Sequence, residues 1–182
     1  MFGRIQNIDN RLLDNISRIH KPALNKIMIT ASRAGNAGIV WWAICLPFLI
    51  NSNWRATGAN FVFGLAWAHL MGEIIIKHIV KRVRPCHTLD DDEQLIDRPR
   101  FYSFPSGHTT ASFAMVGVAL MRCKVITFMP ILMLAMLIAF SRIYLRVHYL
   151  TAVIAGMILG LTCGICSVLI FNTVVPMWFP MV

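Results

Sequence analysis

The chain has 182 residues, of which 57% are hydrophobic and 14% charged, and its formal net charge at pH 7 is +9. Because soluble domains carry about 25% charged residues, this composition excludes a disordered chain and argues against an ordinary water-soluble globule. The basic residues cluster at the ends of apolar runs, which favours anionic lipid or an anionic substrate over nucleic acid as the partner. We therefore expect an integral membrane protein that binds no nucleic acid.

The first 33 residues predict one or two amphipathic helices. Apolar residues recur there at helical spacing, and basic residues occupy the other faces. The segment is too polar to cross a bilayer. We expect it either to lie among the lipid headgroups, with its basic side chains near the phosphates, or to cap the loops at one end of a bundle.

Five apolar segments follow, each close to the roughly 20 residues that a helix needs to cross about 30 Å of hydrocarbon. They run from about Gly35 to Ile50, Thr57 to Ile76, Ser106 to Met121, Val125 to Phe140 and Tyr149 to Phe171. Short connections join the first to the second and the third to the fourth, so both pairs are expected to form antiparallel hairpins. The predicted fold is an all-α membrane bundle of about five transmembrane helices, a single domain over residues 1–182 with the bundle at 34–171.

Alternating topology places the two long polar connections on the same side of the membrane. They contain the predicted active-site segments, residues 77–108 and 141–148, and the N-terminal region is expected on that side too. Four consecutive acidic residues, 90–93, lie in the first of these segments. They lack the ligand spacing of an EF-hand, so we interpret them as a solvated loop and predict no metal site.

Two groups of polar residues in the first long connection are suited to an anion. Lys77 and Arg84 are seven residues apart and would share one face of a continued helix, which Pro85 would end. The run PSGH at 105–108 begins the third apolar segment. A Ser-Gly turn at that position leaves backbone N–H groups at a helix N-terminus, where an anion is stabilised.

A third group is Ser141-Arg142 followed by His148. Together the three groups contain the residue types that bind phosphate and react with it. Arg and Lys side chains bind phosphate oxygens. One imidazole can attack phosphorus while another, such as that of His108, donates a proton to the leaving oxygen. Each group alone is also compatible with an interfacial anchor, so the prediction depends on the three groups converging.

The patterns K-x6-RP, PSGH and SR-x5-H, in this order and separated by apolar spans, resemble the three signature motifs of the type 2 phosphatidic acid phosphatase (PAP2) superfamily. The motifs cover residues 77–148. The resemblance implies a helical bundle with its site at one membrane interface and a phosphatase that needs no metal and no cofactor. It also implies residue roles: phosphate binding by Lys77, Arg84, Ser106, Gly107 and Arg142, nucleophilic attack by His148, and general acid–base catalysis by His108.

One position departs from the family pattern. The third motif normally continues with Asp four residues after the nucleophilic His, whereas this chain has Ala152. Since that residue shares a helix face with His148, we expect the imidazole to lack its orienting group; in serine proteases loss of the equivalent Asp lowers kcat about 10⁴-fold. Three explanations remain open: an engineered Asp-to-Ala substitution, a natural variant that uses another carboxylate, and a natural inactive protein. We favour the engineered substitution because the other motif positions are intact. Ala152→Asp is predicted to raise activity by orders of magnitude.

Glu73 is the nearest alternative carboxylate by sequence. It lies four residues after His69 and four before Lys77, so we expect it to pair with Lys77. An auxiliary catalytic role for Glu73 is the alternative, because ionisable residues inside apolar spans are often functional.

These features together predict a membrane lipid phosphatase that acts through a phospho-histidine. The resemblance to small bacterial members makes undecaprenyl diphosphate the first choice of substrate, followed by phosphatidylglycerol phosphate, phosphatidate and lipid A phosphates. A lipid phosphotransferase and an inactive lipid-phosphate binding protein are the alternatives. We expect a bacterial plasma membrane location with the site on the periplasmic or extracellular side, against the orientation that the basic N-terminal region alone favours. The sequence leaves the oligomeric state open.

Overall fold

The computed structural model describes residues 2–88, 94–99 and 102–174, and these contain helices and no strands. The α-helices are α1 Phe2–Ser17, α2 Pro22–Ala34, α3 Ile39–Ile50, α4 Arg55–His69, α5 Lys77–Val80, α6 Gly107–Arg122, α7 Val125–Tyr144 and α8 Leu150–Val174. A π-helical segment, Leu70–Ile76, joins α4 to α5. The predicted all-α class and the two short hairpins are confirmed, since α3–α4 and α6–α7 are each connected by a few residues.

The helices differ in whether they are long enough to cross a membrane. Three helical stretches are long and apolar enough to cross a membrane, namely Ser52–Val80, Val125–Tyr144 and Leu150–Val174. A fourth span results if Pro22–Ala34 and Asn36–Ile50, which are bent by 58° from each other, form one crossing. Helix α6 has 16 residues, about 24 Å of helix. The count of five spans therefore stays a prediction.

Helix α6 lies at the centre of the bundle, in contact with α4, α7 and α8, and ten of its 16 residues are buried. Glycines of α8 let the two backbones come close. A methyl group at Gly160 or Gly164 would overlap the carbonyl oxygens of Thr110 and Ala114 on α6, as in the small-residue interfaces of membrane helices. This packing fixes the first turn of α6, which carries His108.

The two N-terminal helices pack against one end of the bundle. Helix α1 contacts α7 and α8, and α2 contacts α7. Leu13 of α1 and Met28 of α2 are buried, and the Asp9 carboxylate accepts hydrogen bonds from Thr151 at the start of α8. These contacts favour a cap over the loops rather than a segment lying free among headgroups.

Helix α5 ends at Val80, earlier than the sequence suggested. Lys81 has a left-handed backbone with φ of 50°, and residues 81–84 are not helical. The expectation that Lys77 and Arg84 share one face of a continued helix ended by Pro85 is therefore wrong. A turn of the chain, instead of helical periodicity, brings Arg84 to the cavity that Lys77 also lines.

Candidate active site

A cavity of about 1140 Å³ collects residues from both predicted active-site segments. Six of the seven residues to which the sequence assigned chemistry line it. These are Lys77, Arg84, Gly107, His108, Arg142 and His148. The two imidazoles therefore face one space, although 40 residues separate them in the chain, as the predicted convergence requires.

Ser106, the seventh residue, is fully buried and does not line the cavity. Its hydroxyl accepts a hydrogen bond from Thr109 at 2.9 Å, and its backbone N–H donates to the carbonyl of Ala152 at 3.0 Å. These bonds fix the N-terminus of α6 against α8. Direct contact of the Ser106 side chain with phosphate stays a prediction.

Three cations are almost completely buried at this cavity, with exposed fractions of 3% for Lys77, 5% for Arg84 and 3% for Arg142. Lys77 Nζ lies 2.5 Å from Glu73 Oε1, so the predicted pairing is confirmed. Arg142 donates to the Ser32 hydroxyl, but within the described part of the chain it forms no ion pair and its Nε has no hydrogen-bond partner. Because a buried uncompensated charge is costly, this site is suited to an anion.

Glu73 also explains why residue 107 is a glycine. A Cβ atom at Gly107 would overlap the Glu73 carboxylate, which lies against the first turn of α6. A carboxylate at a helix N-terminus is favourable because it faces the positive end of the helix dipole. Glu73 thus connects the π-helical segment to both Lys77 and α6.

His148 lies in the turn between α7 and α8 and is 1% exposed. Its Nδ1 is 2.6 Å from the carbonyl oxygen of Ser103, and its Nε2 is 2.7 Å from Nη1 of Arg84. A carbonyl only accepts, so Nδ1 carries the proton and Nε2 carries the lone pair. The Ser103 backbone thus gives this nitrogen an acceptor, and the effect of Ala152 on catalysis stays a prediction.

The charge state of His148 follows from the same surroundings. Burial, and next the neighbouring cations Arg84 and Arg142, hold the pKa of His148 well below its usual range. Both causes disfavour the imidazolium form. The surroundings therefore favour the neutral ring, whose Nε2 lone pair accepts a hydrogen bond from Arg84.

His108 occupies the first turn of α6 and is partly exposed in the cavity. Its Nε2 lies 2.8 Å from Oδ1 of Asn36, in the short break between α2 and α3. The neighbouring Gly35 allows this approach, since a Cβ there would come 2.8 Å from Cδ2 of the His108 ring. Sequence reasoning missed Asn36. The sequence feature that could have indicated it is a polar residue next to a glycine at a break between two helices.

The described residues hold no group of three or more His, Cys, Asp or Glu side chains placed to bind a metal ion. The acidic run at 90–93 lies outside those residues. Its interpretation as a solvated loop therefore stays a prediction.

Comparison with known proteins identifies the family. Residues 57–176 match the PAP2 superfamily. An undecaprenyl-diphosphatase of Sulfolobus acidocaldarius is 31% identical over 168 residues, which cover 92% of this chain and 79% of that protein. The chain belongs to the PAP2 superfamily. A phosphatidylglycerophosphatase B of Bacillus subtilis is 27% identical over 86% of this PAP2 chain and 80% of its own length.

Solved structures show the same PAP2 fold. A transmembrane PAP2-type phosphatidylglycerolphosphate phosphatase of Bacillus subtilis matches with a TM-score of 0.77 and 22% identity, over 94% of this chain and 88% of that one. LpxE of Aquifex aeolicus matches with a TM-score of 0.74 and 25% identity, over 86% and 92%. The chain is thus an integral membrane lipid phosphatase of the PAP2 family, a phosphoric monoester hydrolase.

Proposed function

We propose that this PAP2 protein hydrolyses a lipid phosphate or diphosphate through a phospho-histidine at His148. The observation that carries the proposal is a buried imidazole that lines the same cavity as three buried cations. Such a site combines a nucleophile with positive charge that can stabilise a phosphoryl group in the transition state.

In the first half-reaction the phosphoryl oxygens bind to Lys77, Arg84 and Arg142. One oxygen replaces Nε2 of His148 as the partner of Arg84, which releases the lone pair. Nε2 then attacks phosphorus and a P–N bond forms, while the bond from phosphorus to the leaving oxygen breaks. The electron pair passes to that oxygen, and His108 supplies its proton.

The second half-reaction reverses these roles. His108, now neutral, takes a proton from a water molecule that attacks the phospho-histidine. The P–N bond breaks, its electron pair returns to Nε2 of His148, and inorganic phosphate leaves. The lipid alcohol, or the lipid monophosphate when the substrate is a diphosphate, is the other product.

Undecaprenyl diphosphate is our first choice of substrate. The named activity of the Sulfolobus relative supports it, and so does the size of the cavity, which exceeds what one phosphoryl group needs. Arg33 and Arg98 line the cavity beyond the predicted phosphate-binding cations and add positive charge for a second phosphate. Phosphatidylglycerol phosphate, phosphatidate and lipid A phosphates come next.

Phosphate release from purified full-length protein in lipid vesicles tests this proposal. Each candidate lipid is supplied alone and together with lipid or sugar acceptors, and His148→Ala serves as the matched control. We expect inorganic phosphate from at least one lipid in the unaltered chain and none in the variant. Transfer to an acceptor without phosphate release would instead establish a phosphotransferase, and binding with no turnover would establish an inactive binding protein.

We also propose that the site faces the extracytoplasmic side of a bacterial plasma membrane. The short loops at the other end of the bundle carry Arg55, Arg122 and Lys124 and no acidic residue, which the positive-inside rule places in the cytoplasm. His87 is exposed near the site, and Asn53 is exposed at the opposite end. In intact cells, a membrane-impermeant thiol reagent should label His87→Cys and leave Asn53→Cys unlabelled; the reverse pattern contradicts this orientation.

A further inference from the structure

Position 152, where PAP2 proteins carry an Asp, has no polar side chain in this chain, yet each ring nitrogen of His148 has a hydrogen-bond partner. Ala152 is fully buried. The acceptor for His148 Nδ1 is the backbone carbonyl of Ser103, at 2.6 Å, from the loop that precedes α6. A backbone carbonyl fixes a ring in a useful orientation only when its own segment is fixed, so the bonds that hold Ser103 decide how well it works.

Ser103 is anchored to Arg82. The Ser103 N–H donates to the carbonyl oxygen of Arg82 at 2.7 Å, and Ser103 is fully buried. The Arg82 guanidinium donates to the Thr151 hydroxyl at 2.7 Å, and its Cζ lies 3.8 Å from the centre of the Tyr149 ring. Arg82 thereby connects the Ser103 loop to the residues that flank His148 and Ala152.

A buried carboxylate from α1 completes this connection. Asp9 is 0% exposed, and its Oδ2 accepts from Arg82 at 2.8 Å and from the Thr151 hydroxyl at 2.6 Å. Its Oδ1 accepts from the Thr151 backbone N–H at 3.1 Å. The salt bridge and the two hydrogen bonds from Thr151 hold α1, the turn at Arg82 and the start of α8 in one arrangement. Hydrogen bonds to a buried charged group are stronger than those between neutral groups.

We propose that the Ser103 carbonyl performs the orienting function of the missing Asp, and that Asp9 and Arg82 are the positioning residues that keep it in place. The inference rests on the proposed function, since it assigns how the nucleophile of that reaction is oriented. Asp9 and Arg82 touch no reacting atom; they act through Ser103. The consequence is that a carboxylate added at position 152 duplicates an existing acceptor, so Ala152→Asp should raise kcat by less than about 10-fold, in place of the orders of magnitude expected from sequence.

The first test replaces the carboxylate with its isosteric amide. Asp9→Asn is expected to lower kcat about 10-fold or more, the usual cost of losing a group that orients a catalytic residue, with KM changed less than about threefold. Asp14→Asn is the matched control, because Asp14 lies on the same helix with its side chain 66% exposed and pairs with Arg146 at 3.7 Å. It should leave both constants unchanged.

The second test separates orientation from simple loss of packing. In the Ala152→Asp background, an orienting group is present in the chain segment of His148 itself, so Asp9→Asn should lower kcat by less than about threefold. An equal loss in both backgrounds would mean that Asp9 only stabilises the fold. A rise of 100-fold or more on Ala152→Asp alone, about 2.7 kcal/mol, would show that the Ser103 carbonyl does not replace the carboxylate.

A third measurement requires no turnover. ¹⁵N NMR of histidine-labelled protein, with His148→Ala to assign the signal, should show the Nδ1–H tautomer in the unaltered chain and a second tautomer in Asp9→Asn. An Nε2–H tautomer in the unaltered chain overturns the inference. Because this readout is independent of activity, a chain with the expected tautomer and no phosphate release refutes the proposed function while supporting the orientation.

Discussion

The surroundings of the two cavity histidines differ in a way that matches their proposed roles. His148 is 1% exposed, lies in a turn between two helices, and has a hydrogen-bond partner on each ring nitrogen. His108 is partly exposed on the first turn of α6, and its Nε2 contacts Asn36. A nucleophile needs a fixed line of attack, whereas a general acid must exchange protons with water; the fold supplies rigidity to one ring and access to the other.

The largest effect is expected at the rigid histidine. His148→Ala should lower turnover about 10³-fold or more and abolish the covalent phosphoenzyme, because no other group takes over the attack on phosphorus. Acid-quenched protein exposed to ³²P-labelled substrate measures this directly. His78→Ala, an exposed histidine of α5 outside the cavity, is the control; labelled phosphate retained on His148→Ala would contradict the assignment.

A smaller and substrate-dependent effect is expected at His108. His108→Ala should slow formation of the phosphoenzyme about 10²- to 10⁴-fold with a lipid leaving group, which needs a proton. With p-nitrophenyl phosphate, whose leaving group needs little protonation, the loss should be much smaller. Rapid-quench kinetics measures phosphoenzyme formation with each substrate. Equal losses on both substrates would show that His108 binds phosphate and does not donate a proton.

The contact of Asn36 with His108 should matter less than the histidine itself. Asn36→Ala is expected to reduce kcat with a lipid substrate about 10-fold, since the ring loses the partner at Nε2. Asn36→Asp retains an acceptor oxygen and should preserve most of the rate. If the two variants are equally impaired in steady-state assays, the side-chain oxygen does not position His108.

The smallest expected effect is on the pH dependence of kcat/KM, which reports the protonation of His148. Burial and the cations Arg84 and Arg142 lower its pKa, so the ring stays neutral as the pH falls through about 6.5, where an unperturbed histidine is half protonated. Between pH 7.5 and 6.5, kcat/KM corrected for substrate ionisation should therefore show no decline as the pH is lowered. A decline centred near pH 6.5 would indicate an unshifted nucleophile.

Sequence reasoning predicted the fold class, the hairpins and the convergence of the charged groups. Long apolar runs with short connections leave few topologies, and alternation of the membrane side then brings the long loops together. The Glu73–Lys77 pair also followed from helical spacing. The continued helix to Arg84 did not form, because the chain turns at Lys81, and no residue pattern indicated that turn.

The supports of the two histidines were harder to predict. Ser103 acts through its backbone carbonyl, a group that every residue has, so its side chain gives no signal. Asp9 carries a weak signal, an acidic residue on the same helix face as Ile5 and Leu13. Its partners Arg82 and Thr151 are 73 and 142 residues away, which is beyond the reach of local periodicity.

The sequence by itself determined the membrane environment and the family, and it predicted the groups that we propose carry the chemistry, because apolar run length, charge and side-chain type are properties of residues. Only the tertiary structure decided which imidazole is buried with a partner on each ring nitrogen and which remains open to water. Burial, charge proximity and backbone acceptors depend on the three-dimensional packing of segments that are distant in the chain, and these set the tautomer, the pKa and the line of attack.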